Sequence, residues 1–320
     1  MRTIEPPTLD DIRAARARIA GSALRTPLLR LNVEDDAREI WLKLENLQPI
    51  GSFKLRGAGN AVGLLTKDQL SRGVYTASAG NMAQGVAWNA RRLGVPATVV
   101  VPEHAPQTKI AAIERLGAAI VRLPFDAWWN VLVEGGHAGI EGTFIHPVSD
   151  PAVIAGNGTI GLEILEDLPD VRAVMVPYGG GGLSCGIAQA CRALAPGVKV
   201  FASEVETAAP LAAALAAGRP KTIPYTPSFV DGIGATSVLA EMWPLASRLL
   251  HGSCVVSPAA TAAAVKLLVE RNRVVAEGAA ATSVAAALAG YAGDGKIVCV
   301  ISGGNIDAAK LATILSGGVP

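Results

Sequence analysis

One segment constrains this chain more than any other: the apolar run Ala173 to Pro177, broken by Gly179-Gly180-Gly181-Gly182 and resumed as a helical pattern from Gly182 to Ala193. A strand without polar alternation must be covered on both faces, and that happens where helices pack against a parallel sheet. The same strand, turn and helix sequence recurs along the chain. Helices are expected at Thr8–Ala23 (with Thr8 as N-cap), Phe53–Leu65, Asn81–Leu93 and Pro106–Leu116. Strands are expected at Ile40–Leu44, Val74–Ser78, Ala97–Val101, Ala119–Leu123, Val198–Glu204 and Lys296–Ile301. The pattern is α/β. A second turn, Ala79–Gly80, also ends a strand and opens a helix. Ligands of open α/β sheets collect outside the carboxyl ends of the strands, so two such turns imply two sheet units facing one cleft.

Composition removes several function classes. The 28 basic and 27 acidic side chains nearly cancel, leaving no basic excess to hold nucleic acid through its phosphates. Half of the residues are hydrophobic, too many for a disordered chain. Mean hydropathy is +0.37, largely from alanine, and no uninterrupted apolar stretch is long enough to span a bilayer. Met1 to Asp11 lacks a basic region followed by an apolar core, so no signal peptide is read. Cys185, Cys191, Cys254 and Cys299 show no CxxC spacing and are expected to be buried free thiols of a cytoplasmic protein. His104, His137, His146 and His251 are scattered, which argues against a histidine-built metal site.

Four segments can carry chemistry. Gly179 to Leu183 offers converging backbone N–H groups at a helix N-terminus, an arrangement suited to phosphate. It is not a GxxxxGK[ST] loop, and taken alone it leaves a dinucleotide site open. Lys54, in Gly51-Ser52-Phe53-Lys54-Leu55-Arg56-Gly57, sits at a helix start amid few charges. That setting disfavours the ammonium and suits a nucleophilic amine, although an exposed first-turn lysine is the plainer reading by spacing alone. Ser78 to Gly85 presents N–H donors and an amide at another helix start, where a carboxylate fits. Ser302-Gly303-Gly304-Asn305 closes the last strand, placing a hydroxyl at a strand end.

In this order SFKLRG, SAGNMAQG, GGGGL and SGGN resemble the pyridoxal-phosphate enzymes of fold type II, closest to the threonine/serine dehydratase and serine racemase group. The resemblance includes the stretch His146 to Leu165 and so spans nearly the whole chain. It implies two open, twisted, mainly parallel sheet domains of the tryptophan synthase β kind, with the active site in the cleft between them. The large domain would comprise 1–70 plus 143–320, and 71–142 would be a small domain inserted in it. The cofactor implied is pyridoxal 5′-phosphate, with Lys54 as the Schiff-base lysine and acid/base at the substrate Cα. Phe53 would pack beside the ring, Asn81 would meet its 3-hydroxyl, and Gly179, Gly180, Gly181, Gly182 and Leu183 would hold the phosphate. Ser302 would face the pyridine nitrogen. Glu277 would lie near that end, a helix-capping acid being the alternative. Ser78, Ala79, Gly80 and Asn81 would bind the substrate carboxylate.

The activity implied is β-elimination from a 3-hydroxy L-amino acid of the L-threonine or L-serine type, giving a 2-oxo acid and ammonia. Within the family the alternatives are a dehydratase for threo-3-hydroxyaspartate, a hydroxyectoine-derived compound or phenylserine, a serine racemase, or a β-replacement synthase. Outside it stand a silent binder and a nicotinamide enzyme, the latter opposed by the lack of an acidic residue in a GxGxxG unit. Ala79 stands where racemases carry a second serine, which favours a one-base dehydratase. Met82 replaces a histidine common in the family, beside the substrate turn, and bears on specificity. Glu204 and Ala208 match a cation site of some relatives, but Pro210 takes the place of its aspartate, so no metal is expected. Feedback-regulated relatives carry a C-terminal domain, and with only the residues after Gly304 remaining, none is expected here. Trp128 and Trp129 are expected in ordinary surface or core packing, with shaping of the cleft mouth as the alternative. The partners expected are a small amino-acid substrate and a second copy of the chain, with neither nucleic acid nor membrane.

Overall fold

The apolar runs do form strands, and they assemble into two separate sheets. The computed structural model of the chain describes residues 4–34 and 37–320, so the first three residues of the stretch searched for a leader lie outside it. Its strands are β1 (Leu28–Arg30), β2 (Arg38–Lys43), β3 (Val74–Ala77), β4 (Ala97–Pro102), β5 (Ala119–Leu123), β6 (Thr143–Phe144), β7 (Ala173–Pro177), β8 (Lys199–Val205), β9 (Ser253–Val256) and β10 (Gly295–Val300). A six-stranded sheet runs β1-β2-β10-β7-β8-β9, and a four-stranded one runs β5-β4-β3-β6. Every strand pairing described is parallel except β1 with β2. The short strand β6 extends the smaller sheet to Phe144, past the expected division at 142.

The helices are α1 (Leu9–Ile19), α2 (Lys54–Gly63), α3 (Lys67–Ser71), α4 (Asn81–Leu93), α5 (Gln107–Glu114), α6 (Phe125–Glu134), α7 (Pro151–Asp167), α8 (Gly182–Leu194), α9 (Pro210–Ala217), α10 (Trp243–Leu249), α11 (Pro258–Leu267), α12 (Gly278–Leu288) and α13 (Ala308–Leu315). Thr8 caps α1 as expected, its hydroxyl accepting from Asp11 N–H at 3.1 Å while Asp11 Oδ2 accepts from Thr8 N–H at 2.8 Å. The helix stops at Ile19 rather than Ala23, because Gly21 turns the chain at φ +82°.

Continuous hydrophobicity in the strands reflects two cores, one on each face of the large sheet. Along β10, Ile297 and Cys299 join the core beneath α11 and α12, while Val298 and Val300 join the one beneath α7, α8 and α10. Each fully buried valine or isoleucine contributes about 1.5–3 kcal/mol. The sheet's central helix, α7, forms although Gly156, Gly158 and Gly161 lie inside it, each weakening a helix by about 1 kcal/mol relative to alanine. Asp150 caps it, accepting from Ala152 N–H at 2.8 Å, with Pro151 in the first turn. The reason for glycine is close approach: a Cβ at Gly156 would stand 2.6 Å from the Arg56 carbonyl oxygen, so α7 lies directly on α2.

Helix α2 serves both halves. Its Ala58, Ala61 and Val62 pack with Val74, Met82, Val86 and Ala90 of the β3–α4 unit. Its other face carries Arg56, buried with Glu45, Glu163 and Lys43. The Arg56 guanidinium meets Glu45 at 2.7 and 2.8 Å and Glu163 at 2.7 and 2.9 Å, and Lys43 Nζ reaches Glu163 at 2.6 Å. These bonds fix the start of α2 against β2 and α7.

Candidate active site

The carboxyl ends of the two sheets open on one cavity of about 380 Å³. Phe53, Lys54, Ser78, Ala79, Gly80, Asn81, Gly179, Gly180, Gly181, Gly182, Leu183, Glu277 and Ser302 all line it. Sequence reasoning singled out each of these residues, and folding brings them together.

Lys54 opens α2, just after Phe53, whose ring centroid lies 5.4 Å from Nζ. The amine donates to the Pro147 carbonyl at 2.6 Å. Burial lowers its pKa to about 8, with Glu277 opposing the shift. An exposed first-turn lysine is therefore not what the fold makes of this residue.

The tetraglycine turn follows β7 and opens α8, with Gly181 at φ +95°, a conformation that favours glycine. Among the described residues, the N–H groups of Gly179, Gly180, Gly181, Gly182 and Leu183 have no hydrogen-bond acceptor. Side chains would close the cradle, since a Cβ at Gly180 would come within 2.5 Å of Val148. Donors this dense at a helix N-terminus, bordering a cavity, fit a phosphate group. With the desolvated amine of Lys54 in the same cavity, the residues present fit pyridoxal phosphate.

At another wall, Ser78 follows β3 and Gly80 precedes α4, whose first N–H groups on Asn81, Met82 and Ala83 have no acceptor among the described residues. Ser78 Oγ accepts from Gly80 N–H at 3.2 Å, holding the turn. Glu277 precedes α12 but makes no capping bond with its side chain. Its carboxyl instead accepts from Asn81 Nδ2 at 3.1 and 3.2 Å. Burial raises its pKa to about 7, with Asp231 adding to the rise and Asn81, Lys109 and Lys54 opposing it. Ser302 is buried, and its carbonyl accepts from Phe53 N–H at 3.0 Å.

Sequence reasoning held shaping of the cleft mouth by Trp128 only as the alternative to ordinary packing, and it missed other lining residues altogether. Trp128 lines the cavity and donates from Nε1 to the Val100 carbonyl at 3.2 Å, so of the two tryptophans it is the one that shapes the mouth, whereas Trp129 is exposed. Lys109 on α5 and Asp231 also line it, and they pair at 3.2 Å. Gln84 and Asn305 complete the wall. Both lay within quoted motifs, but nothing in local spacing distinguished them. Met82 borders the cavity with only 1% of its surface exposed, its side chain packed with Val86, Ile145 and Val153.

Away from the cavity, both Glu204 oxygens are taken by protein donors: Leu211 N–H and Ala212 N–H at 2.8 Å each, and Ser253 Oγ at 2.5 Å. All four cysteines are free and buried, and burial pushes the thiols of Cys185, Cys191 and Cys254 up to about 12. Among the described residues no helix is long and apolar enough to cross a membrane.

Fold and site together define an enzyme that works through pyridoxal phosphate, and comparison agrees: residues 19–303 match the family described as pyridoxal-phosphate dependent enzyme, to which this chain belongs. Its relatives narrow the class. The chain is 41% identical to an L-threonine ammonia-lyase of Thermotoga maritima, over 98% of this chain and 79% of that one. It is 39% identical to the catabolic L-threonine dehydratase TdcB of Escherichia coli K12, over 97% and 96%. The structure of maize serine racemase superposes with a TM-score of 0.86 at 32% identity, covering 98% of both chains.

Proposed function

We propose that this enzyme is an ammonia-lyase that dehydrates and deaminates a 3-hydroxy L-amino acid of the L-threonine or L-serine type, giving a 2-oxo acid and ammonia. The observation that carries the reading is the convergence on one cavity of an unanswered N–H cradle, a desolvated lysine and a second helix N-terminus. The names of the relatives point to the same chemistry.

Gly179 to Leu183 would hold the cofactor phosphate and Phe53 would flank the ring. Asn81 would donate to the ring 3-oxygen and Ser302 would face the ring nitrogen, with Glu277 steadying Asn81 through the hydrogen bonds to its Nδ2. Bound pyridoxal phosphate supplies the electron sink for charge that develops at the substrate Cα. The turn Ser78-Ala79-Gly80-Asn81 receives the substrate carboxylate on the N–H groups of Ala79 and Asn81, which have no acceptor among the described residues, assisted by the dipole of α4. Lys54 Nζ, neutral in a useful fraction near pH 8, takes the Cα proton. The 3-hydroxyl departs as water, and the released enamine hydrolyses to the 2-oxo acid and ammonia. Ala79 supplies no hydroxyl that could return a proton from the other face, which favours elimination over racemisation.

In this reading 71–142 is a smaller unit inserted into a larger one, the protein works in the cytoplasm, and it acts as a homodimer. Lys109 in the cavity wall favours a second reading, an acidic substrate such as threo-3-hydroxyaspartate, whose extra carboxylate would displace Asp231. Formation of 2-oxo acid from L-threonine, L-serine, threo-3-hydroxyaspartate and phenylserine tests both. Preference for threonine or serine is the expected result, preference for hydroxyaspartate selects the second reading, and no turnover of any of them overturns the assignment.

A further inference from the structure

A primary amide has a donor end and an acceptor end of nearly equal size, so a half-turn exchanges them at almost no steric cost. At Asn81 the choice matters, because a ring 3-oxygen that carries negative charge needs the NH2 end. Asn81 is one link in a chain of hydrogen bonds whose direction is set from outside. The Ile50 carbonyl can only accept, and Asn305 Nδ2 donates to it at 2.9 Å. The same nitrogen donates to Asn81 Oδ1 at 2.8 Å. With its oxygen occupied, Asn81 turns Nδ2 toward Glu277. The Asn305 amide lies against Gly51, where a Cβ would stand 2.8 Å from the Asn305 Oδ1.

We propose that Asn305 is a positioning residue that fixes the orientation of the Asn81 amide, so that its NH2 end faces the cofactor. Asn305 follows β10 of the large sheet and Asn81 opens α4 beside the small one, so the bond also ties the two units together at the cavity. The inference rests on the reading that Asn81 meets the ring 3-oxygen.

Three variants of the full chain, each reconstituted with pyridoxal phosphate, test it. Asn305→Asp puts an acceptor where both partners are acceptors and turns the Asn81 amide round. Asn305→Ala removes the guide without adding charge, and Asn81→Ala removes the amide itself. Absorbance spectra of the holoproteins, the cofactor dissociation constant by equilibrium dialysis, and the melting temperature of the apoproteins are the readouts. In Asn305→Asp, the balance of near-ultraviolet and visible bands should shift in the direction seen for Asn81→Ala. Its dissociation constant should rise about tenfold, about what one charge-assisted hydrogen bond is worth. Asn305→Ala should fall between wild type and Asn305→Asp. The apoprotein melting temperatures should stay close to wild type. A shifted spectrum for Asn81→Ala beside an unchanged one for both Asn305 variants overturns the role of Asn305. Lower melting temperatures for the Asn305 variants with unchanged spectra would do so too, by showing a structural role only. An unchanged spectrum for Asn81→Ala would instead overturn the reading of Asn81, and the role of Asn305 with it.

Discussion

Lys54 and Arg56 stand two residues apart on α2, Arg56 fully buried and Lys54 partly buried at the cavity wall, yet they meet opposite fates. Arg56 lies in a cluster of two cations and two carboxylates, Lys43, Arg56, Glu45 and Glu163, whose side chains bond one another. Burial pushes the Glu45 carboxyl up, but Arg56 beside it more than offsets that and holds it below the ordinary range. Lys54 has only a backbone carbonyl, and Glu277, across the cavity, only an amide. There burial is not offset: Lys54 falls to about 8 and Glu277 rises to about 7. Pairing decides whether a buried charge becomes a fixed strut or a group able to move a proton near neutral pH.

The contrast can be broken from either side. Lys54→Ala should lower turnover by about 1,000-fold or more and leave no cofactor covalently retained after borohydride treatment. Surviving activity would remove Lys54 from the chemistry. Arg56→Met should leave two buried carboxylates with a single cation and cost about 3–5 kcal/mol, read as a melting temperature lower by roughly 10 °C. A melting temperature near wild type would show that the cluster is not the strut described.

Cofactor capture by the apoprotein sharpens the comparison. Only the neutral amine reacts, so the rate should level off above a midpoint near pH 8 and fall about tenfold for each unit below it. A flat profile from pH 6 to 9 would contradict a desolvated Lys54. The smallest effect concerns Glu277. Its folded pKa lies above the ordinary 4.5, so the folded protein keeps this proton longer, and stability present at low pH is lost as pH rises through about 7. Glu277→Gln should therefore stabilise the apoprotein by about 1–2 kcal/mol at pH 8 and little near pH 4.5, as urea midpoints would show. Equal midpoints at pH 8 would mean that the carboxyl is better solvated than its burial suggests.

Much of this was legible in the sequence, for reasons that also explain what was not. β7, β5 and α4 begin and end where the apolar pattern said, because a strand covered on both faces and an amphipathic helix both leave local signatures. β6, two residues long, exists only because the edge of β3 offers a partner. α7 was hidden by glycines that weaken a helix locally and are needed for its approach to α2, a fact held in tertiary packing alone. The glycine turns announced themselves through chain geometry, whereas Lys54, by spacing alone more plainly a surface lysine, was singled out by the ordered set of motifs around it. Asn305 meets Asn81 across 224 residues, and Lys109 meets Asp231 across 122, distances over which spacing carries no information.

The double duty of α2 limits how this protein can be taken apart. The helix that begins at Lys54 also lends Ala58, Ala61 and Val62 to the core of the smaller sheet. That sheet is consequently not an interchangeable module. Excising it would strip an apolar face from α2, and grafting one from a relative would require matching that face, or the bed on which the lysine rests would shift. Exchange of substrate preference between such enzymes is more readily reached by single side chains at the cavity wall than by recombining whole units.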